Sequence, residues 1–187
     1  HPQSYYGRGG VSPDTVGIAR QIRAKKIPEA VHIHFTGAGA NVAAGKYNDG
    51  SKENRAILAS RLASGMESAW KTTRKTSLRP ERIEWKTKSV VLPLRDMYQD
   101  VSVMENVLKD PRAGTSSRIR AARNIAWAQR VKAKDPILLS CLRLGRESIL
   151  HFPGELFVEY QLAAQKLRPN DFVAMAAYGD YAPGYIG

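Results

Sequence analysis

The chain has 187 residues and a mass of 20.7 kDa, which is the size of one ordinary domain. Its composition, 43% hydrophobic and 25% charged, is typical of a globular protein and excludes a disordered one. The 29 Lys and Arg residues outnumber the 17 Asp and Glu residues, and the net charge of +12 favours acidic or anionic partners without indicating a fold. The single cysteine, Cys141, excludes an internal disulfide and a Cys-x-x-Cys metal site.

Both ends of the sequence suggest a longer protein. The chain begins at His1 without an initiator methionine or a signal peptide, and it stops at Gly187 directly after an apolar run. No run is long enough for a membrane-spanning helix. We therefore expect residues 1–187 to be a single region within a larger domain.

Amphipathic helices alternate with segments of strand character along the chain. The first helix is predicted to begin at Ser12-Pro13 and to end at about Lys26, before Pro28. The later helices are predicted over 51–72, 101–108, 115–133 and 155–167. Strands are predicted over 31–35, 83–94 (a strand or a hairpin) and 172–177, and a hairpin over 137–152. The pattern predicts an α/β fold, a layered mixed sheet with helices packed on it, as a fragment of a larger α/β catalytic domain. In the 51–72 helix the predicted buried stripe is Leu58, Leu62, Met66 and Ala69.

Polar and small residues concentrate in the loops 1–10, 36–49 and 178–187, and strand-end loops are where α/β folds place their chemistry. The turn Pro153-Gly154-Glu155 adds a carboxylate between a strand and a helix. This carboxylate is either a metal ligand or a partner of the helix dipole, and composition alone favours the dipole. The Gly37-Ala38-Gly39 stretch is not a dinucleotide fingerprint, because no apolar helix opens at the next glycine.

Histidines offer a second candidate for metal binding. His32 and His34 are spaced as zinc ligands on one face of a strand can be, although the apolar residues between and beside them favour a polar strand face. His151 lies in an apolar strand and is predicted to be a hydrogen-bonded core histidine. Nothing near His1 marks it locally as a ligand.

Basic residues cluster at 71–88 and 111–134, with seven Lys or Arg in each segment. In the second cluster a stripe of one helix opposite the apolar face contains Arg120, Arg123, Trp127 and Arg130. Such a stripe can bind phosphates or an anionic lipid surface, but a solvated or covered helix face is the favoured interpretation. No nucleic-acid-binding motif accompanies the charge, so we do not expect DNA or RNA as a partner.

Five stretches rich in glycine, tyrosine and polar residues follow one another along the chain. They are His1-Pro2-Gln3-Ser4-Tyr5-Tyr6, Phe35-Thr36-Gly37-Ala38-Gly39-Ala40-Asn41-Val42, Gly45-Lys46-Tyr47-Asn48-Asp49-Gly50, Phe152-Pro153-Gly154-Glu155-Leu156-Phe157, and Ala177-Tyr178-Gly179-Asp180-Tyr181 with Gly184-Tyr185-Ile186. In this order they resemble the neutral/alkaline (non-lysosomal) ceramidase family, and more closely a bacterial branch of it. The Pro-Gly-Glu turn followed by the tyrosine-rich loop is the most specific element.

The resemblance implies a zinc amidase whose metal is held by two histidines, a glutamate and a tyrosine. His1 matches the second histidine, Glu155 the glutamate and Tyr185 the tyrosine. Tyr181 is the alternative tyrosine, which near the metal would stabilise the oxyanion. The first histidine would lie upstream of His1 and an Ig-like domain downstream, so we expect this chain alone to be inactive and to bind Zn²⁺ poorly. The family is often exported, which implies a secreted or periplasmic location.

The sequence departs from the family in one loop. The family has a Gly-Asp-Val-Ser-Pro-Asn-like stretch, whereas residues 40–45 place Ala43 at the serine and Asn41 at the aspartate. Asn41 is then a candidate polar group near the reacting carbonyl. The candidate substrate-lining residues are Lys46, Tyr47, Asn48 and Asp49. We predict zinc-dependent cleavage of an amide (N-acyl) bond in a small-molecule or lipid substrate. The alternatives are an inactive binding relative, suggested by Ala43, and a basic module that binds anionic lipid.

Overall fold

The structure is a computed structural model that describes residues 10–43, 45–180 and 183–187. Its helices are α1 (Asp14–Lys26), α2 (Lys52–Thr72), α3 (Ser102–Lys109), α4 (Thr115–Lys132) and α5 (Val158–Leu167). Its strands are β1 (Ile83–Val90), β2 (Ile137–Leu144), β3 (Glu147–His151), β4 (Glu155–Leu156), β5 (Phe172–Ala176) and β6 (Tyr185–Ile186). None of the described helices is long and apolar enough to span a lipid bilayer.

Four strands form a mixed sheet in the order β1-β2-β3-β5, and β4 pairs with β6 in a separate two-stranded sheet. The β1–β2 and β2–β3 pairs are antiparallel, and the predicted hairpin is confirmed, with Gly145 at φ +69° in its turn. The β3–β5 pair is parallel, so the chain must cross over between them, and this crossover contains β4 and α5. The predicted layered α/β class with a mixed sheet is confirmed.

Helices α1 and α2 pack against each other through small side chains. The buried residues include Gly17 and Ala19 on α1 and Ala59 and Ala63 on α2. The apolar stripe predicted for α2 is wrong, since Leu62 is 40% exposed. Small residues on the facing sides allow the two backbones to approach closely, and the larger side chains of α2 therefore point elsewhere.

The segment 31–35 does not form the predicted strand. The segment pairs with no strand among the described residues, and Val31, Ile33 and Phe35 are exposed. The main chain meets the sheet region only beyond the segment, where the Ala177 N–H donates to the Thr36 carbonyl at 2.8 Å. Alternation indicates a strand only if a neighbouring edge is available to complete the ladder.

A small apolar core lies where the loop after residue 35, the crossover and β5 meet. Ala38, Leu156 and Met175 are its buried centre, and Leu156 is 2% exposed. Partly buried side chains surround it, namely Leu150, Phe152, Ala164, Ala177 and Ile186. Burying a leucine side chain stabilises the fold by about 2 kcal/mol. The core therefore anchors β4 at the position next to Glu155.

We expect the change Glu67→Gln to destabilise the protein at neutral pH. Glu67 on α2 lies 3.1 Å from Arg23 and 2.9 Å from Lys26 of α1, and 2.8 Å from Lys71. Hydrogen bonds from Lys71 and then Lys26 lower the pKa of Glu67 to about 2. Because an unfolded-state glutamate titrates near 4.3, these contacts stabilise the fold above that pH and lose their effect as the pH falls through 2.

The measurement is urea unfolding of both proteins between pH 7 and pH 2. The difference in free energy of unfolding should shrink towards zero in acid. Glu29→Gln, at an exposed position outside the helices, is the control and should have little effect. A Glu67→Gln effect that does not change with pH would contradict this explanation.

Candidate functional site

Glu155 lies in strand β4, not at the start of a helix as predicted. Helix α5 begins three residues later, at Val158. The Glu155 N–H donates to the Gly184 carbonyl at 2.7 Å, and the Phe157 N–H donates to the Ile186 carbonyl at 3.0 Å. Because the N–H groups of Glu155 and Phe157 bond to Gly184 and to β6, residues 155–157 are not part of helix α5. Glu155 is therefore not in the first turn of a helix, as its interpretation as a helix-dipole partner required.

Glu155 and Tyr185 are paired directly across β4 and β6. Paired residues of neighbouring parallel strands lie about 4.8 Å apart and project to the same face. Glu155 is 6% exposed, whereas Tyr185 is 51% exposed. The pair therefore places a buried carboxylate beside a half-exposed phenol, and both groups carry oxygen atoms that can bind a metal.

Two glycines make this pairing possible. Gly154 has φ +64° and Gly184 has φ +67°, in the left-handed region. A Cβ at position 154 would lie 2.5 Å from the Gly184 carbonyl oxygen. The Gly154 N–H donates to the Asp180 carbonyl at 2.7 Å, and the Tyr178 N–H donates to the Gly154 carbonyl at 3.0 Å. Residues 178–180 and Gly184 therefore lie directly against the start of β4.

Asn41 connects the loop after residue 35 to the first turn of α5. Its Oδ1 accepts a hydrogen bond from the Val158 N–H at 2.9 Å, and its Nδ2 donates to Glu159 Oε2 at 2.9 Å. The neighbouring Ala40 N–H donates to the Leu156 carbonyl at 2.9 Å. Asn41 thus satisfies a free N–H at the helix start, although it lies far from α5 in sequence. This loop, with Ala43 exposed, is thereby held next to β4.

The predicted substrate-lining residues contact neighbouring residues of their own segment and of α2. Asp49 Oδ1 accepts from the Ser51 N–H at 2.8 Å and from Asn54 Nδ2 at 2.7 Å, and these hydrogen bonds lower the pKa of Asp49. Asn48 Oδ1 accepts from the Gly50 N–H. The cations of Lys46 and Arg61 lie 5.5 and 5.7 Å from the centre of the Tyr47 ring. All these contacts lie within residues 45–61.

Two predicted site residues, His1 and Tyr181, lie outside the described residues. Within the described ranges, no three His, Cys, Asp or Glu side chains form a group that could hold a metal ion. The part of the predicted ligand set that the structure describes is therefore Glu155 and Tyr185.

The other histidines contact their own segments or aromatic rings. His32 Nδ1 lies 3.1 Å from the Ala30 carbonyl, and His34 Nε2 lies 3.4 Å from Thr36 Oγ1. His151 lies beside the rings of Phe35 and Trp85, with centroid distances of 6.4 and 5.3 Å. Its buried Nδ1 has no hydrogen-bond partner in the part of the chain that the structure describes, so ring contacts rather than that atom hold it.

The basic stripe predicted on α4 is not a common exposed surface. Trp127 is 7% exposed, and Arg130 is bound to acidic side chains. Arg130 Nη1 lies 2.6 Å from Asp180 Oδ2, and this hydrogen bond raises the pKa of the guanidinium. Arg130 Nε also lies 3.1 Å from Asp135 Oδ2. The local sequence does not predict the contact between Arg130 and Asp180, because the two residues are 50 positions apart in the chain.

The fold is similar to that of a known hydrolase. The crystal structure of neutral ceramidase from Pseudomonas aeruginosa superposes with a TM-score of 0.58 at 15% sequence identity. The match covers 94% of this chain and 35% of the ceramidase chain, so this chain spans about a third of that enzyme's length. No family model and no curated protein matches the chain. At this identity the likeness establishes a shared fold.

We expect Gly154→Ala to destabilise the protein by about 1–3 kcal/mol, because the new methyl group would clash with the Gly184 carbonyl and φ is positive. The matched control is Gly65→Ala, in the interior of α2, where a Cβ meets nothing within 4 Å. This control should stabilise the protein by up to about 1 kcal/mol. Urea unfolding measures both changes, and equal stability of Gly154→Ala and the parent would contradict the predicted clash.

We expect Asn41→Ala to lower the stability by about 1 kcal/mol, because the Val158 N–H loses its acceptor. Asn41→Asp should lose less stability than Asn41→Ala, because it keeps the oxygen that accepts the Val158 N–H. Its negative charge would lie next to Glu159, so it should still be less stable than the parent. Amide hydrogen exchange should show faster exchange in the first turn of α5 for Asn41→Ala. Unchanged exchange there would mean that Asn41 does not cap this helix.

Proposed function

We propose that the chain is part of a zinc-dependent hydrolase of the ceramidase type, which cleaves an amide (N-acyl) bond in a small-molecule or lipid substrate. The observation that carries the proposal is the pairing of Glu155 with Tyr185 across β4 and β6. These are the two described residues that match ceramidase metal ligands in the sequence. The fold likeness to neutral ceramidase supports the same assignment.

The donor set fits a zinc ion as far as it is described. Zinc sites in hydrolases use nitrogen and oxygen ligands and keep one position open. A carboxylate as buried as that of Glu155 needs hydrogen bonds, an ion pair or a metal to be stable. When bound, zinc lowers the pKa of a bound water to about 7 and polarises the amide carbonyl. The proposed nitrogen ligands are His1 and a histidine upstream of it.

The chain's own residues then have separate roles in this proposal. The β4–β6 hydrogen bonds fix the direction of Glu155, and the half-exposed Tyr185 lies on the side open to solvent. Tyr181 is proposed to stabilise the oxyanion. Asn41, whose side chain bonds to the first turn of α5, is proposed as a polar group near the reacting carbonyl. The segment containing Lys46, Tyr47, Asn48 and Asp49 remains the proposed polar lining for the unidentified substrate.

A second candidate is a relative that binds an N-acyl compound without cleaving it. The observation in its favour is Ala43, which stands where ceramidases have an active-site serine. Binding to anionic lipid through the α4 stripe is less well supported, because Trp127 is buried and Arg130 is paired with acidic side chains.

Zinc content of the protein at its full natural length tests the proposal. We expect about one zinc per chain in elemental analysis after dialysis. Glu155→Gln should abolish zinc binding, because a neutral amide replaces the anionic carboxylate ligand, and Tyr185→Phe should weaken it, because it removes the phenol oxygen. The control is Glu147→Gln, an exposed carboxylate on β3, which should keep the zinc.

Full zinc occupancy in the Glu155→Gln variant would refute the proposed ligand set. A zinc-loaded protein should also hydrolyse some member of a panel of N-acyl lipids and other amides. Bound zinc with no turnover on the whole panel would favour the second candidate, the binding relative.

A further inference from the structure

We propose that Arg130 is a positioning residue that holds Glu155 and Tyr185 together through its ion pair with Asp180. This proposal rests on the metal-site function proposed above, to which it adds a residue outside the predicted ligand set. It connects helix α4 to the two paired strands β4 and β6.

Two hydrogen bonds and an ion pair hold the Arg130 side chain. Its Nη1 binds Asp180 Oδ2 at 2.6 Å, and its Nη2 donates to the Pro136 carbonyl at 2.9 Å. Its Nε faces Asp135 Oδ2 at 3.1 Å. The side chains of Arg130 and Asp180 are 25% and 29% exposed, so water screens this ion pair less than a fully exposed one. A guanidinium held in this way is a rigid anchor for the loop that contains Asp180.

The main chain carries this anchoring to Glu155. The Asp180 carbonyl accepts the N–H of Gly154, the residue directly before Glu155, at 2.7 Å. The adjacent Gly179 N–H donates to the Phe152 carbonyl at 3.0 Å. Residues 178–180 are therefore hydrogen-bonded to the residues on both sides of Pro153. A displacement of Asp180 would therefore shift the turn that precedes Glu155.

The same loop also leads into β6. Residues 183–186 follow it, and the Gly184 carbonyl accepts the Glu155 N–H at 2.7 Å. The Tyr185 carbonyl accepts a further hydrogen bond from Arg95 Nη2. Arg130 thus fixes one end of the loop, while the β4–β6 ladder fixes the other. Outer-shell contacts of this kind orient metal ligands and affect metal affinity.

The test compares Arg130→Met, which removes the charge and keeps much of the volume, with Arg130→Lys, which keeps the charge. Arg120→Met, an exposed position on the same helix, is the control. Asp180→Asn and the double variant Arg130→Met/Asp180→Asn show whether Arg130 acts through Asp180. All variants are made in the full natural-length protein.

Three readouts are measured on each variant. Hydrogen exchange with mass spectrometry follows the segments 152–157 and 178–187, and a chelator competition gives the zinc dissociation constant. Ultraviolet difference absorption on zinc addition reports a metal-bound tyrosinate, with Tyr185→Phe as its reference.

We expect Arg130→Met to speed exchange in these two segments about 10-fold, with the rest of the chain unchanged. It should weaken zinc binding about 10- to 100-fold and reduce the tyrosinate signal. Arg130→Lys should fall between Arg130→Met and the parent, and Arg120→Met should match the parent. The double variant should be no worse than the more affected single variant.

The outcomes separate this inference from the proposed function. If the parent protein binds no zinc, the proposed function fails, and local loosening by Arg130→Met would still support the positioning role. If the parent binds zinc and Arg130→Met changes neither exchange nor affinity, the positioning role is refuted and the function stands. Loosening spread evenly over the chain, or loosening with an intact tyrosinate signal and zinc affinity, would also refute it.

Discussion

The main-chain pairing of β4 with β6 is the contact on which the arrangement of the candidate site depends. It aligns Glu155 with Tyr185, and it sends the next residue, Leu156, into the apolar core. The Leu156 carbonyl also accepts the Ala40 N–H, so the loop after residue 35 joins the same strand. Strand β4, strand β6 and the loop after residue 35 therefore meet at Glu155 and Leu156. The close approach of Gly154 to the Gly184 carbonyl, which a side chain would prevent, allows this meeting.

Local signals in the sequence were sufficient for most of the fold. Helix α2 begins within one residue of its predicted start, and the structure shows Ser51 as its cap, with its side chain accepting the Asn54 N–H. The β2–β3 hairpin follows from the glycine in its turn. Two expectations failed where the deciding partner is distant. The 31–35 segment has the alternation of a strand but no neighbouring edge among the described residues, and residues 155–157 pair with β6 rather than extending α5.

The candidate site could be predicted from sequence in part. The Pro-Gly-Glu turn and the tyrosine-rich loop point to Glu155 and Tyr185 through their resemblance to ceramidases, and the structure adds that the two are paired. Their roles as metal ligands stay predictions. The sequence did not indicate that Asn41 bonds to α5 or that Arg130 bonds to Asp180, because each contact joins residues far apart in the chain. The prediction that Trp127 lies opposite the apolar face of its helix was also wrong, because the burial of a side chain depends on which elements pack over the helix.

The contact between Asn41 and Val158 spans 117 residues, and this has a consequence for the order of folding. Helices and hairpins form from local contacts, whereas a contact across such a span must first close a long loop against chain entropy. We therefore expect the β2–β3 hairpin to form before the loop around residue 41 assembles with β4 and β6. If this junction forms late, substitutions in it are expected to accelerate unfolding more than they slow folding. The lifetime of the folded state is then expected to depend on the same junction of segments that contains the candidate site.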